Sequence, residues 1–302
     1  MRKLFCCAVL ALLGAASSRA ADAVLLNLVM PDARAAAGVD VARSLASPLG
    51  QFALAQVDPQ AGQQLEQLRE LTGFDPRSDL REVLVASAGP QAGRRIVIAA
   101  GSFDPARVMT AARDHGAQIS SYRGIEILTF GGNGKHASAL AFLSPTLAVT
   151  GDTDSVGLAI ERYQKPGPPL DPQLATRISS VSAGADAWFV CLIPGTELAQ
   201  GSGWNANMLA AVQQVAGSLQ LGPTVMASAE ISAVGPQEAA ALADLVRMMA
   251  SIARLNPKDP KAAALLELLG ATEVSAAGST VRLRLAIPEA RLESIIGLLR
   301  PR

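Results

Sequence analysis

Histidine, cysteine and large aromatics are what this 302-residue chain has least of: 2 His, 3 Cys, 2 Trp and 2 Tyr. A zinc centre needs three or four nitrogen, sulfur or carboxylate ligands drawn together. The two histidines stand alone, His115 and His136, so a His-rich metal site is excluded. Each has a simpler use: His115 precedes the helix-stopping Gly116, and His136 follows a glycine-rich turn. Cysteine is scarcer still in the folded part, because Cys6 and Cys7 lie in a leader-like segment and leave only Cys191. A single thiol makes no internal disulfide, so the fold must rest on burial. Its apolar flanks in Ala187–Ile193 offer no base or cation to lower its pKa, which predicts a buried, inert thiol. An excess of one charge is also missing, with 26 basic and 26 acidic residues. No basic footprint for nucleic acid is present.

Chemistry-bearing motifs fail on inspection. Gly131-Gly132-Asn133-Gly134-Lys135 has the glycines and lysine of a phosphate loop. Thr129, however, stands where the first glycine belongs, no Ser or Thr follows the lysine, and a strand pattern comes next. Asp152-Thr153-Asp154 and Gly157 resemble the start of a calcium loop, but Val156 and Tyr163 occupy positions that require oxygen ligands. Helix capping accounts for those aspartates. No Gly-x-Ser-x-Gly, HExxH or Ser-x-x-Lys pattern occurs, and no cofactor motif is present. A hydrolase would need a site assembled from distant positions.

The N-terminus reads as a secretory signal: Arg2 and Lys3, the apolar run Leu4 to Leu13, then Ser18-Arg19-Ala20. Cleavage after Ala20 is expected. It removes three of the 26 basic residues, leaving 23 against 26 acidic, a formal charge of −3. Cys6 and Cys7 lie inside the apolar run, not just after it, so lipid attachment is not expected. No later stretch gives about 18 uncharged apolar residues in a row, so no transmembrane segment is expected in the mature chain. A periplasmic or extracellular location follows from this reading.

What the chain does have is well-punctuated secondary structure. Ile96 to Ala100 is a β-branched apolar run suited to a strand covered on both faces. Asp104-Pro105 then supplies a cap and a first helical residue, and Val108, Met109 and Ala112 recur at helical spacing until His115-Gly116. Gln118–Tyr122 and Ile125–Phe130 predict a hairpin or one bent strand, and Ala139–Leu143 and Leu147–Thr150 a hairpin. Asn133-Gly134 marks a turn between them. Upstream, Ala35 to Val41 predicts a strand, Ser47-Pro48 opens a helix, and Leu65, Leu68 and Leu71 stripe a second helix ended by Gly73.

Lys165–Gln173, with four prolines, marks a stiff boundary. Beyond it, Ala187–Ile193 predicts a strand, Asn207–Ser218 a helix and Thr224–Val234 a strand. Gly235-Pro236 opens a long helix with Leu242, Leu245, Val246, Met249 and Ile252 on one face. A helix over Lys261–Leu269, a hairpin around Gly278-Ser279 and a last helix after Pro288 complete the chain. Four strand-to-helix handovers, at Asp104-Pro105, Asp152-Thr153, Gly235-Pro236 and Pro288-Glu289, set the fold class. That class is α+β, with two related modules, each an antiparallel-rich sheet with helices packed on one face. The boundaries are 1–20 for the signal, 21–164 for the first module, 165–183 for the connector and 184–302 for the second.

Pro31-Asp32-Ala33 with Gly38-Val39-Asp40, then Ser47-Pro48-Leu49-Gly50, then Thr72-Gly73-Phe74-Asp75-Pro76 with Asp79-Leu80-Arg81-Glu82-Val83-Leu84, resemble the opening of a group of uncharacterised exported bacterial proteins of acidobacterial type. The resemblance implies export and carries no activity across.

The functional expectation is therefore a non-catalytic exported envelope protein that acts by binding. The partner is an envelope protein or an apolar, lipid-like ligand, the latter held between the sheet and the faces at 207–218 and 236–255. Trp204, in Gly201-Ser202-Gly203-Trp204-Asn205, is the one contact residue to single out. A tryptophan among glycines can meet a partner or fold over the core as a lid.

Overall fold

The computed structural model describes residues 22–55, 59–130, 138–199, 209–254 and 260–299. Its first helices are α1 (Ala23–Leu28), α2 (Val41–Ala46), α3 (Pro48–Ala55), α4 (Pro59–Thr72) and α5 (Pro76–Asp79). Between and after them run β1 (Ala35–Asp40), β2 (Leu80–Ser87) and β3 (Arg95–Gly101), an antiparallel meander. Helix α6 (Pro105–Asp114) crosses the sheet, and β4 (Gln118–Tyr122), β5 (Ile125–Phe130), β6 (Ser138–Ser144) and β7 (Leu147–Asp152) return, so that β7 pairs with β3. Helices α7 (Thr153–Gln164) and α8 (Pro172–Ser182) lead to the second half.

There β8 (Ala187–Cys191) is followed by the short α9 (Gly195–Leu198), then β9 (Val212–Gln220) and β10 (Thr224–Ala233) complete a second meander. Helices α10 (Pro236–Arg254) and α11 (Pro260–Gly270) cross over, and β11 (Thr272–Ala277) and β12 (Thr280–Pro288) return to pair with β10. Helix α12 (Glu289–Leu299) ends the described chain.

The mixed α+β class and the antiparallel sheet agree with the sequence expectation. Among the described residues, all twelve strands belong to a single sheet, in the order β11-β12-β10-β9-β8-β1-β2-β3-β7-β6-β5-β4. The two halves share a plan, a three-stranded meander, a helical crossover and a return whose last strand pairs with the third strand of the meander, but the return is the four strands β4 to β7 in the first half and the hairpin β11–β12 in the second. They join edge to edge where β1 pairs antiparallel with β8, Val39 opposite Ala187 and Ala37 opposite Phe189.

Capping chemistry sets the handovers as expected. The Asp104 carboxylate accepts the Arg107 amide at the start of α6, with Pro105 in the first turn. Asp152 does the same for α7 and Asp171 for α8. Arg123 and Gly124, at φ 50° and 82°, make the tight turn between β4 and β5. One expectation is corrected: of Asn207–Ser218, read as a helix, residues 207–208 lie outside the described residues and 212–218 belong to strand β9. Leu209, Val212, Val215 and Ala216 have helical spacing, but ladders to β8 and β10 on both sides override that local preference.

The main core lies on the sheet face covered by α1, α7 and α8. A row of directly paired residues crosses it: Trp188, Gly38, Leu84, Ile98, Val149 and Ala141. Gly38 is required there, since a Cβ would come within 2.6 Å of the Trp188 indole. Ile160 and Leu174 press onto this layer from α7 and α8. Each large side chain buried in this way contributes roughly 1.5–3 kcal/mol. Helices also lie on the other face, where α4 and α6 stand over β3 and β7 while α10, α11 and α12 stand over β10 and β12. That second face holds the cavities.

Candidate functional site

Helix α4 carries the leucine stripe read from the sequence, yet the stripe is only partly packed: Leu65 is half-buried, while Leu68 is 37% and Leu71 49% exposed. Among the described side chains, its ties lie in the C-terminal half. Gly73, at φ 75°, turns the chain out of α4. The Arg107 guanidinium of α6 donates to the Glu70 carbonyl at 3.0 Å. Arg77 donates to Glu66 on α4 at 2.9 Å and to Asp75 at 2.8 Å. The Arg77 guanidinium holds the Asp75 carboxyl at about 2, well below the usual carboxylate range.

Below Leu68 lies a cavity of about 460 Å³, floored by Val83, Val97, Ala99 and Ala148 of β2, β3 and β7. That size falls within the roughly 300–1,000 Å³ of ordinary small-molecule pockets. Its rim is aromatic, with Phe74 and Phe103 ring centroids 5.4 Å apart and Phe103 and Phe142 5.6 Å apart. Two of its few polar groups already have partners inside the protein. Thr72 Oγ1 donates to the Leu68 carbonyl at 2.6 Å and accepts from the Phe74 amide at 3.2 Å. Asp104 is engaged in capping α6. Such a lining accepts hydrocarbon readily and makes little hydrogen-bonding demand.

A second cavity, of about 420 Å³, lies on the same sheet face in the other half, lined by Phe189, Leu219, Ala227, Ala229, Leu283 and Leu285. It separates two packed clusters, one around Val225, Ile287 and Ile295, the other around Ala233, Ala243 and Val281. Small side chains at Ala227 and Ala229, with Gly217 beside them, leave the space between those clusters open.

The residues singled out from sequence fall as follows. His115 caps α6, its Nδ1 lying 2.8 Å from the Ala111 carbonyl on exposed surface. Asp152 caps α7 and also accepts the Arg95 amide at 2.8 Å, so it joins helix start to strand start. Cys191 is a free, half-buried thiol whose pKa burial pushes up. Trp188 is buried in the main core. Trp204, His136 and the Asn133-Gly134 turn lie outside the described residues. Of the two faces expected to line an apolar site, 207–218 supplies most of strand β9, whose Leu219 lines the second cavity just beyond that range, and 236–255 supplies α10. The cavity under α4 was missed. Its signal was the leucine stripe opposite strands whose facing positions, Ala99 and Ala148, are too small to fill the gap.

Among the described residues, no helix is long and apolar enough to cross a membrane. Among the same residues, no group of three or more His, Cys, Asp or Glu side chains could hold a metal ion.

No family model and no curated protein matches the chain. A solved structure titled "Structure of crystal form I of TP0453" is similar, with a TM-score of 0.50 and 12% identity over 94% of this chain and 100% of that one. At that identity the likeness is one of fold.

Proposed function

We propose that this protein is a non-catalytic binding protein of the cell envelope whose cargo is an apolar, lipid-like molecule, received in the cavity beneath α4. The observation that carries the reading is the unfilled apolar space between Leu68 and the floor of Val83, Val97, Ala99 and Ala148. A helix striped for packing is held above small side chains, so an apolar guest supplies the contacts that the protein leaves unmade. Export, with removal of residues 1–20, belongs to the same proposal. It is supported by the leader-like N-terminus and by the resemblance to exported proteins.

Delipidated protein titrated with the fluorescent fatty acid cis-parinaric acid tests the reading. Saturable binding is expected, weakened at least tenfold by Leu68→Asp and by Ala99→Phe, with circular dichroism unchanged. Absence of saturable binding, or an affinity in both variants equal to that of the parent protein, would overturn it.

A further inference from the structure

The two cavities occupy equivalent places in the repeated plan. Each lies over the third strand of a meander and the strand that returns to it, β3 and β7 in one half, β10 and β12 in the other. The register also puts them on one continuous apolar row. Ala148 pairs with Ala99, Ala99 with Val83, Val83 with Val39, Val39 with Ala187, Ala187 with Leu219, and Leu219 with Ala227. Directly paired residues in an antiparallel sheet point to the same face, so all of these side chains share one surface.

Val83 lines the first cavity and Ala187 the second, and Val39 alone stands between them in the row. Two strand spacings, about 10 Å, separate the rims. The bridge is uncovered: Val39 is 38% exposed, and Val85 and Phe189 beside it are 42% and 41% exposed.

We infer that one long-chain lipid molecule occupies both cavities at once, its hydrocarbon lying across the strands over Val39. This rests on the reading that the cavity under α4 binds apolar molecules. The occupant follows from the direction and chemistry of the trough. A polypeptide crossing the strands would gain no ladder hydrogen bonds and would bury its amides against Val39, Val85 and Phe189 without partners. A hydrocarbon chain has no polar groups to satisfy and matches the apolar row along its length.

Stoichiometry separates this arrangement from two independent pockets. Full-length protein lacking only its leader is titrated with octanoate and with oleate, and the complexes are counted by native mass spectrometry and calorimetry. Two octanoates and one oleate per chain are expected. Val39→Asp, at an exposed position, is expected to leave octanoate binding unchanged and to weaken oleate at least tenfold. Leu68→Asp is expected to remove one of the two octanoates. Two oleates per chain, a single octanoate, or oleate binding indifferent to Val39→Asp would overturn the bridge while leaving the cavity under α4 in place. Binding of neither fatty acid would overturn both.

Discussion

The Phe189 ring lies against Gly217 on the neighbouring strand, so closely that a Cβ at residue 217 would fall 2.7 Å from Phe189 Cε1. It would also fall 2.7 Å from the backbone oxygen of Ser228 on β10. The ring can turn aside, but the carbonyl belongs to the β9–β10 ladder and cannot retreat without opening it. Gly217→Ala is therefore expected to cost about 1–3 kcal/mol, the usual range for an added methyl in a tight site. Urea denaturation measures this, and a midpoint equal to that of the parent protein would show that the strands have slack.

Helix α4 should be the most easily opened part of the described fold, because Arg77 and Arg107 hold it largely from one end. Arg77→Ala removes the guanidinium that binds both Glu66 and Asp75. Amide exchange in α4 is expected to quicken selectively, and the Asp75 carboxyl to rise from about 2 toward its ordinary value. Salt should act weakly in the same direction, since exposed ion pairs lose part of their attraction as ionic strength rises. Exchange mass spectrometry with and without Arg77 decides the matter. Uniform exchange across α4 and the sheet would mean that the helix is held by something else.

Local chemistry was legible in the sequence and long-range pairing was not. Asp104-Pro105 and Asp152-Thr153 declared their helix starts because a cap needs only residues within one turn. The helix expected over Asn207–Ser218 failed because Val212, Val215 and Ala216 satisfy a helical period while their amides are claimed by β8 and β10. The edge-to-edge union of β1 and β8 has no side-chain signature at all, since it is made by backbone groups that every residue carries. The stripe Leu65, Leu68 and Leu71 could be read, but its lack of filling depends on Ala99 and Ala148, which come from strands far along the chain.

Glu82 sits opposite Asp40 on β1, and its Oε1 accepts a long contact, 3.4 Å, from the Asp22 amide. Burial pushes its pKa up, and the charges of Asp22 and Asp40 add to the rise against the weaker pulls of that amide and of the Arg81 charge. A carboxyl that holds its proton more tightly when folded stabilises the fold below its unfolded pKa, roughly 4.3, and loses that contribution as pH rises through the higher folded value. Glu82→Gln keeps the acceptor and removes the charge. It is expected to raise the melting temperature at pH 7 by about 1–2 °C, with the gain shrinking to nothing below about pH 4. A loss of stability at pH 7 would mean that the attraction of Arg81 outweighs burial.

Asp152 has the opposite sign. Burial raises its pKa, but the amides of Arg95 and Ser155 and the Ser155 hydroxyl, at 2.8, 2.9 and 2.8 Å, outweigh burial and bring it below the ordinary value. Its contribution is fully present above the unfolded carboxylate pKa of about 3.9 and fades as pH falls through the lower folded value. Asp152→Ala removes the cap of α7 and the bond to the start of β3 together, at an expected cost of about 1–2 kcal/mol near neutrality. Asp152→Asn retains an acceptor for the cap and should recover part of that loss while flattening the acid dependence. Denaturant midpoints of the three proteins at pH 7 and pH 3 test the pair of claims. A deficit for the alanine variant that stays the same size at pH 3 would show that the ionised carboxylate is not what joins helix to strand.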